Sequence, residues 1–428
     1  MLGNLARMCA LAGLIGGLCL PVSAMTTATT TSTITTAGAG IVPTRPSLDG
    51  MQLAQTDLTL QGGPDDLSYG PVAEAVELPA VTPIKPPTRI ALLLPTLSDS
   101  LKQVATAVQA GFTAAYQYEP ANITVNLIET GDAAQDVLAA YRQAAADNDI
   151  VVGPLTRSGA TAIVQNHAVI KPTIALTQLD AAESGPISSN MLMMGLSVED
   201  EARQDATWMS VGQPHGLRAM AISTSVSWQR RAAGAFAAKW QALGMRSDTV
   251  ELETGSGFIS ANGMLELRKR IQAEQPALLF LALDAAQAIQ LRMAIGNDVP
   301  MVGTSQLNPV ALDDWPNATR LNDLEGVMLV DVPWQLQPDH AAVMAYPHLP
   351  PNPDQRRSPD IERLYALGID AYRVAHNLAL QEDDFQLDGV TGRLAIRFGN
   401  GRTSFDRIMP TAVYRDGMVQ PLTTPATP

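Results

Sequence analysis

The sequence predicts an α/β protein with two doubly wound, Rossmann-like lobes around a cleft. From Arg89 onward, short apolar runs of strand length alternate with segments of helical periodicity. Runs that are apolar on both faces and separated by helices are typical of parallel strands covered on both sides. The length of 428 residues exceeds what one hydrophobic core usually fills, which favours two compact units plus tails.

The predicted strands fall into two series. The first series comprises residues 90–94, 123–128, 150–153 and 173–176, and the second comprises residues 217–223, 278–283, 301–303 and 327–332. After the first strand, one helical face carries Leu101, Val104, Val108, Phe112 and Ala115. A long helix is predicted after Pro359, and turn signals at residues 399–401 and 416–417 predict hairpins that close the fold.

Composition and charge narrow the class of partner. Apolar residues make up 46% and charged residues 16% of the chain, which is ordinary for a soluble globular protein. The 42 acidic against 28 basic residues give a net charge of −14. Such a charge repels nucleic acid and anionic lipid surfaces, so nucleic acid is not expected as a partner.

The N-terminal segment resembles an export signal. It has one arginine, an apolar run from Cys9 to Leu20, and a small-residue site at residues 22–24, which predicts cleavage after Ala24. The apolar run is shorter than the roughly 20 residues that span a bilayer. Because Cys9 and Cys19 both lie in this segment, the mature chain is expected to contain no disulfide, thiolate nucleophile or cysteine metal site.

Two fates remain open for the exported chain. Plain secretion into the periplasm is favoured. A lipid-attachment cysteine normally follows a small residue, whereas Cys19 follows Leu18. The alternative is an outer-membrane lipoprotein, with membrane attachment only if Cys19 is lipidated. Residues 25–87 are rich in Thr, Pro and Gly, which predicts a disordered tether.

No catalytic constellation is recognisable. The loop after Leu94 lacks the glycines of a dinucleotide-binding turn, and no GxxxxGK, HExxH or GxSxG motif occurs. The carboxylates at residues 199–201 follow Ser197, which favours helix capping over acid/base chemistry. The sequence therefore predicts neither an enzyme nor a cofactor, and no metal site is expected from the scattered histidines His167, His215, His340, His348 and His376.

Candidate cleft residues follow from the strand ends. In doubly wound sheets a ligand lies where the carboxyl ends of strands meet loops and helix N-termini. The residues at these ends are Arg157, Ser158, Thr177, Gln178, Asp284, Thr304 and Ser305. The alternative is that they cap helices or make contacts between lobes. Arg157 is expected either to hold a ligand carboxylate or to pair with Asp284.

Several stretches are more specific than these patterns, and together they run from about Arg89 to Pro421. They include RIALLLPTLSDSLKQVATAVQAGFTAAY, VVGPLTRSGATAI, PTIALTQLD, GTSQL, LEGVMLVDVPW, RLYALGIDAYRVA and LDGVTGRLAIRFGNGRTSFDRIMPTAVYRDGMVQP. They resemble the C-terminal domain of the penicillin-binding-protein activator lipoproteins, the LppC-like family. This resemblance implies a type I periplasmic-binding-protein fold and a protein that stimulates a bifunctional peptidoglycan synthase by contact across the periplasm.

The resemblance also implies three crossovers between the lobes. They are expected near Pro214, within residues 309–326, and near Asp388. Lobe 1 would then hold residues 88–213 plus about 326–387, and lobe 2 residues 214–309 plus about 388–421.

Two functional hypotheses follow. The first is a non-enzymatic accessory protein of the cell envelope that regulates peptidoglycan synthesis by binding a bifunctional penicillin-binding protein. The second is a periplasmic solute receptor for an amino acid or a similar small polar ligand, with the cleft as its binding site.

Overall fold

The computed structural model describes residues 86–179, 186–255, 257–311, 314, 318–350, 357–399, 401 and 403–422. The predicted export signal and residues 25–85 of the predicted tether lie outside this described part, so both stay predictions.

Strands and helices alternate in the first two thirds of the described chain. The first elements are β1 (Thr88–Leu94), α1 (Lys102–Tyr118), β2 (Ile123–Glu129), α2 (Ala134–Asp147), β3 (Ile150–Val152), α3 (Arg157–Gln165), β4 (Thr173–Ala175) and β5 (Met191–Met193). They are followed by α4 (Val198–Ser210), β6 (Arg218–Thr224), α5 (Ser227–Ala242), β7 (Arg246–Leu252), β8 (Thr254–Gly255), β9 (Phe258–Ile259), α6 (Ala261–Glu274), β10 (Leu278–Leu281), α7 (Ala285–Ile295) and β11 (Met301–Gly303).

The last third is less regular. Two 3-10 turns lie at Ser305–Leu307 and Asn322–Leu324. The remaining elements are β12 (Met328–Val330), α8 (Pro333–Leu336), α9 (Ala341–Met344), α10 (Pro359–Ala379), β13 (Asp384–Asp388), β14 (Arg393–Arg397), β15 (Ser404–Ile408), β16 (Thr411–Arg415) and β17 (Met418–Pro421).

Two large sheets define two lobes. The first sheet has the order β2-β1-β3-β4-β5 and is parallel throughout. The second has the order β17-β16-β12-β11-β10-β6-β7, parallel from β12 to β7 and antiparallel at β16 and β17. Helices cover both faces of each sheet, because the strands bury side chains in both directions. The predicted α/β class with parallel strands is confirmed.

A third sheet belongs to the first lobe. It has the antiparallel order β13-β14-β15, and its residues Leu394 and Ile396 lie in the same core as α1 and α10. The buried carboxylate of Asp370 on α10 accepts hydrogen bonds from the backbone N–H groups of Val390 and Thr391 and from the Thr391 hydroxyl, at 2.7 to 3.1 Å. These bonds fix the β13–β14 turn to α10.

The predicted position of the first crossover is wrong. It lies at residues 194–197, before α4, and not near Pro214. The reason is the small apolar face of α4, where Ala202 and Ala206 pack against Ala219 and Ala221 of β6 in the second lobe.

The other two crossovers also differ from the prediction. β12 pairs with β11 in the second sheet, so the chain returns to the first lobe at residues 331–332 and not within residues 309–326. Because β13 to β15 pack on the first lobe, the third crossover lies at residues 409–410 and not near Asp388. The first lobe therefore holds residues 88–193 and 333–408, and the second holds residues 198–330 and 411–421.

Helices α1 and α10 cross at very short range in the first lobe. A Cβ atom added to Gly368 would collide with the carbonyl oxygen of Val108, and one added to Gly111 would collide with that of Tyr365. Since the colliding atoms belong to the backbone, neither helix can yield without moving as a whole.

We expect Gly368→Ala to lower the free energy of unfolding by about 3 kcal/mol, because the added methyl group forces the two helices apart. Urea unfolding followed by circular dichroism measures this change. The matched control is Gly234→Ala on α5, where an added Cβ meets nothing within 4 Å. The control should raise stability by about 0.5 kcal/mol. Equal effects of the two substitutions would contradict the close crossing.

Candidate functional site

A cavity of about 110 Å³ lies between the two lobes, at the carboxyl ends of the strands. Most of its wall is apolar. The first lobe and the crossovers contribute Leu101, Val104, Leu155, Leu176, Leu196, Val332, Leu364 and Leu367. The second lobe contributes Val198 and Trp228. Of the described residues that line the cavity, none is a histidine, cysteine or lysine.

Three of the predicted cleft residues line this cavity. Arg157 is the first residue of α3, and the Thr156 hydroxyl before it caps that helix by accepting from the Gly159 N–H. Thr177 follows β4, and Ser305 follows β11. Their positions agree with the rule that strand ends form the cleft. Ligand contact by these three residues stays a prediction.

The other four predicted residues lie elsewhere. Ser158 is exposed on the first turn of α3. The Asp284 carboxylate accepts from the Gln287 N–H and caps α7, and Thr304 is buried and caps the following 3-10 turn. The Gln178 amide donates to Asp200 at 3.3 Å and borders a separate groove of about 480 Å³.

Arg157 pairs with Glu199 across the lobes and not with Asp284. The Nε of Arg231 on α5 donates to Oε1 of Glu199 at 2.6 Å, and a terminal nitrogen of Arg157 lies 3.4 Å from the same oxygen. Burial works to raise the pKa of Glu199, but the two guanidinium groups hold it below its ordinary value. Glu199 is therefore an ionised acceptor in the wall of the cavity.

A buried arginine joins the lobes beside the cavity. From α10 in the first lobe, Arg363 donates to both carboxylate oxygens of Asp331 at 2.9 and 2.7 Å, and to Asp360 at 2.7 Å. It also donates to the backbone carbonyls of Ser305 and Asn308 in the second lobe, at 3.0 and 3.1 Å. We call these five residues the interlobe arginine network. Burial works to lower the pKa of Arg363, yet its carboxylate partners raise it above the ordinary value.

Hydrogen bonds tie each crossover to a lobe and the second crossover to the third. The Gln204 side chain on α4 bonds both the N–H and the carbonyl of Met409 in the third crossover. Arg407 donates to the carbonyls of Met194 and Gly195 in the first crossover, at 2.9 and 3.0 Å. The Asp331 N–H donates to the carbonyl of Pro410. The second and third crossovers are therefore bonded directly, and Arg407 at the end of β15 links the first crossover to them, so that the three form one layer.

Two buried carboxyl groups on α4 face this layer. Glu201 accepts from the Ser305 N–H at 2.8 Å, and burial raises its pKa to about 7. Burial and the nearby Glu201 raise the pKa of Asp205 well above its ordinary value, and neither Asp205 oxygen has a hydrogen-bond partner in the described part of the chain. The Ser197 hydroxyl accepts from the Asp200 N–H, so the predicted cap at residues 197–201 is present. Helix capping alone does not explain why Glu201 is buried and bonded to the Ser305 N–H.

The described residues contain no helix that is long and apolar enough to cross a membrane. They also contain no cluster of three or more His, Cys, Asp or Glu side chains that could hold a metal ion.

Sequence reasoning missed the residues that bind the lobes together. Arg363 and Asp331 lie within the distinctive stretches RLYALGIDAY and VMLVDVPW, but their pairing spans 32 residues. One local feature of the sequence indicates this pairing: Asp331 is a charged residue directly after the buried strand β12. Such a position predicts a buried partner of opposite charge.

We expect Glu201→Gln to flatten the pH dependence of stability. Since the pKa of Glu201 is raised from 4.5 to about 7 in the folded state, the unfolded chain loses this proton first. The wild-type protein should therefore lose about 3 kcal/mol of stability from this group as the pH rises from 4.5 to above 7. Glutamine keeps the acceptor for the Ser305 N–H and removes the titration. Urea unfolding at pH 5 and pH 8 compares the two proteins, and identical pH profiles would contradict the assignment.

The comparisons with known proteins concern the same region of the chain. A family model described as "LppC putative lipoprotein" matches residues 74–417. A solved structure described as a "putative branched-chain amino acid ABC transporter" from Chromobacterium violaceum ATCC 12472 is 33% identical, with a TM-score of 0.59. The match covers 76% of this chain and 99% of that chain. No match was found among the curated proteins.

Two LpoA structures from Haemophilus influenzae are similar in fold. The C-domain of LpoA (YraM), described as a regulator of PBP1A, is 20% identical, with a TM-score of 0.61 over 78% of this chain and 100% of that chain. Full-length LpoA is also 20% identical, with a TM-score of 0.60, and the match covers 79% of this chain and 59% of that chain.

The fold is that of the type I periplasmic binding proteins, as the sequence resemblance implied. The family model covers most of the chain, including all three crossovers and both lobes apart from β17. The chain belongs to the LppC family.

Proposed function

We propose that this protein is a non-enzymatic accessory protein of the cell envelope that regulates a bifunctional penicillin-binding protein by protein–protein contact. Membership of the LppC family supports this role. So does the fold shared with LpoA, which is described as a regulator of PBP1A.

The observation that carries the proposal is the interlobe arginine network. A solute receptor of two lobes works by hinge closure around its ligand, so its lobes must separate. Here Arg363 on the first lobe donates hydrogen bonds to Asp331 and to the carbonyls of Ser305 and Asn308. Separation of the lobes breaks the bonds from Arg363 to the carbonyls of Ser305 and Asn308, so these bonds oppose hinge motion. A fixed surface for a partner protein is the use of the fold that they support.

The volume of the cavity supports the same conclusion. Ligand pockets usually enclose roughly 300 to 1,000 Å³. The cavity between these lobes encloses about 110 Å³, because Arg157, Glu199 and Arg231 occupy part of the cleft. A typical solute of an uptake system does not fit without movement of the lobes.

The proposed location is the cell envelope on the periplasmic side. The predicted leader at residues 1–24 supports export, and the family description as a lipoprotein supports an envelope location. Membrane attachment requires lipid on Cys19. The mass of the mature N-terminus distinguishes a free chain that begins at Met25 from a lipidated chain that begins at Cys19.

The second candidate function is a solute receptor for an amino acid or a similar small polar ligand. It is favoured by the 33% identity to the C. violaceum protein described as a branched-chain amino acid transporter. A thermal-shift screen against the amino acids, combined with small-angle scattering, tests it. A receptor should gain stability and become more compact with its ligand, and the regulator should do neither.

We expect the purified chain to bind a bifunctional penicillin-binding protein and to raise its rate of glycan polymerisation. Affinity co-purification measures binding, and incorporation of labelled lipid-linked precursor measures the rate. Specific contact surfaces of about 1,600 Å² support such complexes, and the fixed lobes reduce the entropy lost on binding.

Two controls accompany this experiment. The first is the same chain after unfolding, and the second is another exported acidic protein of similar size, which tests for a non-specific charge effect. Absence of both binding and stimulation by the folded chain would refute the proposed function.

A further inference from the structure

An exposed aromatic surface lies at the end of the first lobe that is remote from the cavity. Helix α1 ends at Tyr118, and the chain then turns into strand β2 at Ile123. In a parallel α/β sheet this connection runs along the amino-terminal edge of the strands, whereas the cavity lies at their carboxyl ends. The Tyr118 side chain is nevertheless 64% exposed, although it is large and mostly apolar.

Two further side chains extend this surface. The Tyr118 ring packs edge-on against the ring of Tyr346, with 5.4 Å between the ring centroids. Two residues before Tyr346, Met344 ends α9 and is 65% exposed. We call Tyr118, Met344 and Tyr346 the distal patch, and none of these three residues lines the cavity. Aromatic residues and methionine are enriched in the cores of protein interfaces, and a contiguous exposed apolar surface marks a site of interaction.

The distal patch has a rigid base. The buried ring of Tyr372 on α10 packs edge-on against Phe112 and Tyr116, at 5.2 and 5.7 Å between ring centroids. The Tyr372 hydroxyl donates to the backbone carbonyl of Glu119 at 2.5 Å. These contacts fix the chain on either side of Tyr118. A partner that binds here therefore orders little of the surface, which lowers the entropy lost on association.

Exposed carboxylates stand at the edge of the distal patch. Glu119 directly follows Tyr118, and its side chain is 64% exposed. The carboxylate of Asp388 is 73% exposed and lies 3.3 Å from His340. His340 is the N-terminal cap of α9, the helix that ends in Met344. Carboxylates therefore border the patch at both of its exposed apolar side chains.

The basic groups beside these carboxylates are largely covered. Arg373 is 22% exposed, pairs with the buried Asp370 and donates to the backbone carbonyl of Asp388. His376 is 7% exposed and lies 3.8 Å from the carboxylate of Glu119. The charge that the edge presents to solvent is therefore negative. Such an edge attracts a positively charged surface and repels a negatively charged one.

We propose that the distal patch docks a positively charged surface of the bifunctional penicillin-binding protein, and this proposal rests on the function proposed above. The apolar centre supplies affinity, while the acidic edge orients the partner and speeds association. A second copy of this chain would bring the same carboxylates to the contact, and an anionic lipid surface would bring phosphates, so charge disfavours both. All three residues belong to the first lobe, so docking requires no contact with the second.

Two matched double variants test the apolar centre. Tyr118→Ala combined with Met344→Ala should weaken binding to the penicillin-binding protein by about tenfold or more, as measured by surface plasmon resonance. The control combines Phe258→Ala with Met293→Ala, an equally exposed aromatic and methionine pair on the second lobe, at 61% and 73%. It should leave the affinity unchanged. All four side chains are exposed, so both variants should fold, which circular dichroism checks.

The outcomes separate the surface from the function. If the wild-type chain binds and the distal variant binds equally well, the surface is wrong and the proposed function stands. An equal loss of affinity in the two double variants also refutes the surface. Absence of binding by the wild-type chain overturns both proposals.

A charge reversal tests the acidic edge. Glu119→Lys should slow association with the penicillin-binding protein by about threefold or more at low salt and reduce the salt dependence of the rate. Glu253→Lys, at an exposed position of the second lobe, is the control and should leave the rate unchanged. Faster association of the Glu119→Lys variant would contradict a positively charged partner. Sedimentation of the chain alone adds a further check, because self-association that Tyr118→Ala abolishes would assign the patch to a second copy and refute the proposal.

Discussion

The buried bond between Arg363 and Asp331 is the constraint on which the arrangement of the lobes depends. Both oxygens of Asp331 and two backbone carbonyls of the second lobe converge on one guanidinium that starts from a helix of the first. A charge in this position is tolerated because every partner is in place. The same requirement fixes the loop after β11, the crossover after β12 and the start of α10 relative to one another. The width of the cleft follows from these positions.

Much of the fold could be predicted from the chain alone, because strands buried on both faces give continuous apolar runs. Three strands, β2, β6 and β11, begin and end within one residue of their predicted limits. The strand β1 ends as predicted and begins two residues earlier. Assignment to a lobe was harder, since it depends on pairing with distant strands. The small residues of α4 could pack against either sheet, so the sequence of this helix does not identify its lobe. The strand β12 has only three residues, too few to identify the sheet that it joins.

The candidate site was predictable where it follows from topology. The rule that ligands lie at strand ends placed Arg157, Thr177 and Ser305 on the cavity. The same rule selected Asp284 and Thr304, which cap the next turns, because capping and ligand binding use the same short polar side chains. Glu199 and Glu201 carry a helix-capping pattern in sequence. Their pairing with Arg231 and with the Ser305 N–H requires the folded chain.

The glycine contact between α1 and α10 restricts which substitutions this chain can accept at the two positions. Where two side chains touch, a larger residue on one side can be offset by a smaller one opposite, but no residue is smaller than Gly111 or Gly368. A substitution at either position therefore has no compensating partner and must be absorbed by displacing a whole helix. Arg363 lies on that helix, five residues before Gly368. Two glycines that do not line the cavity thus fix the position of the helix that carries Arg363.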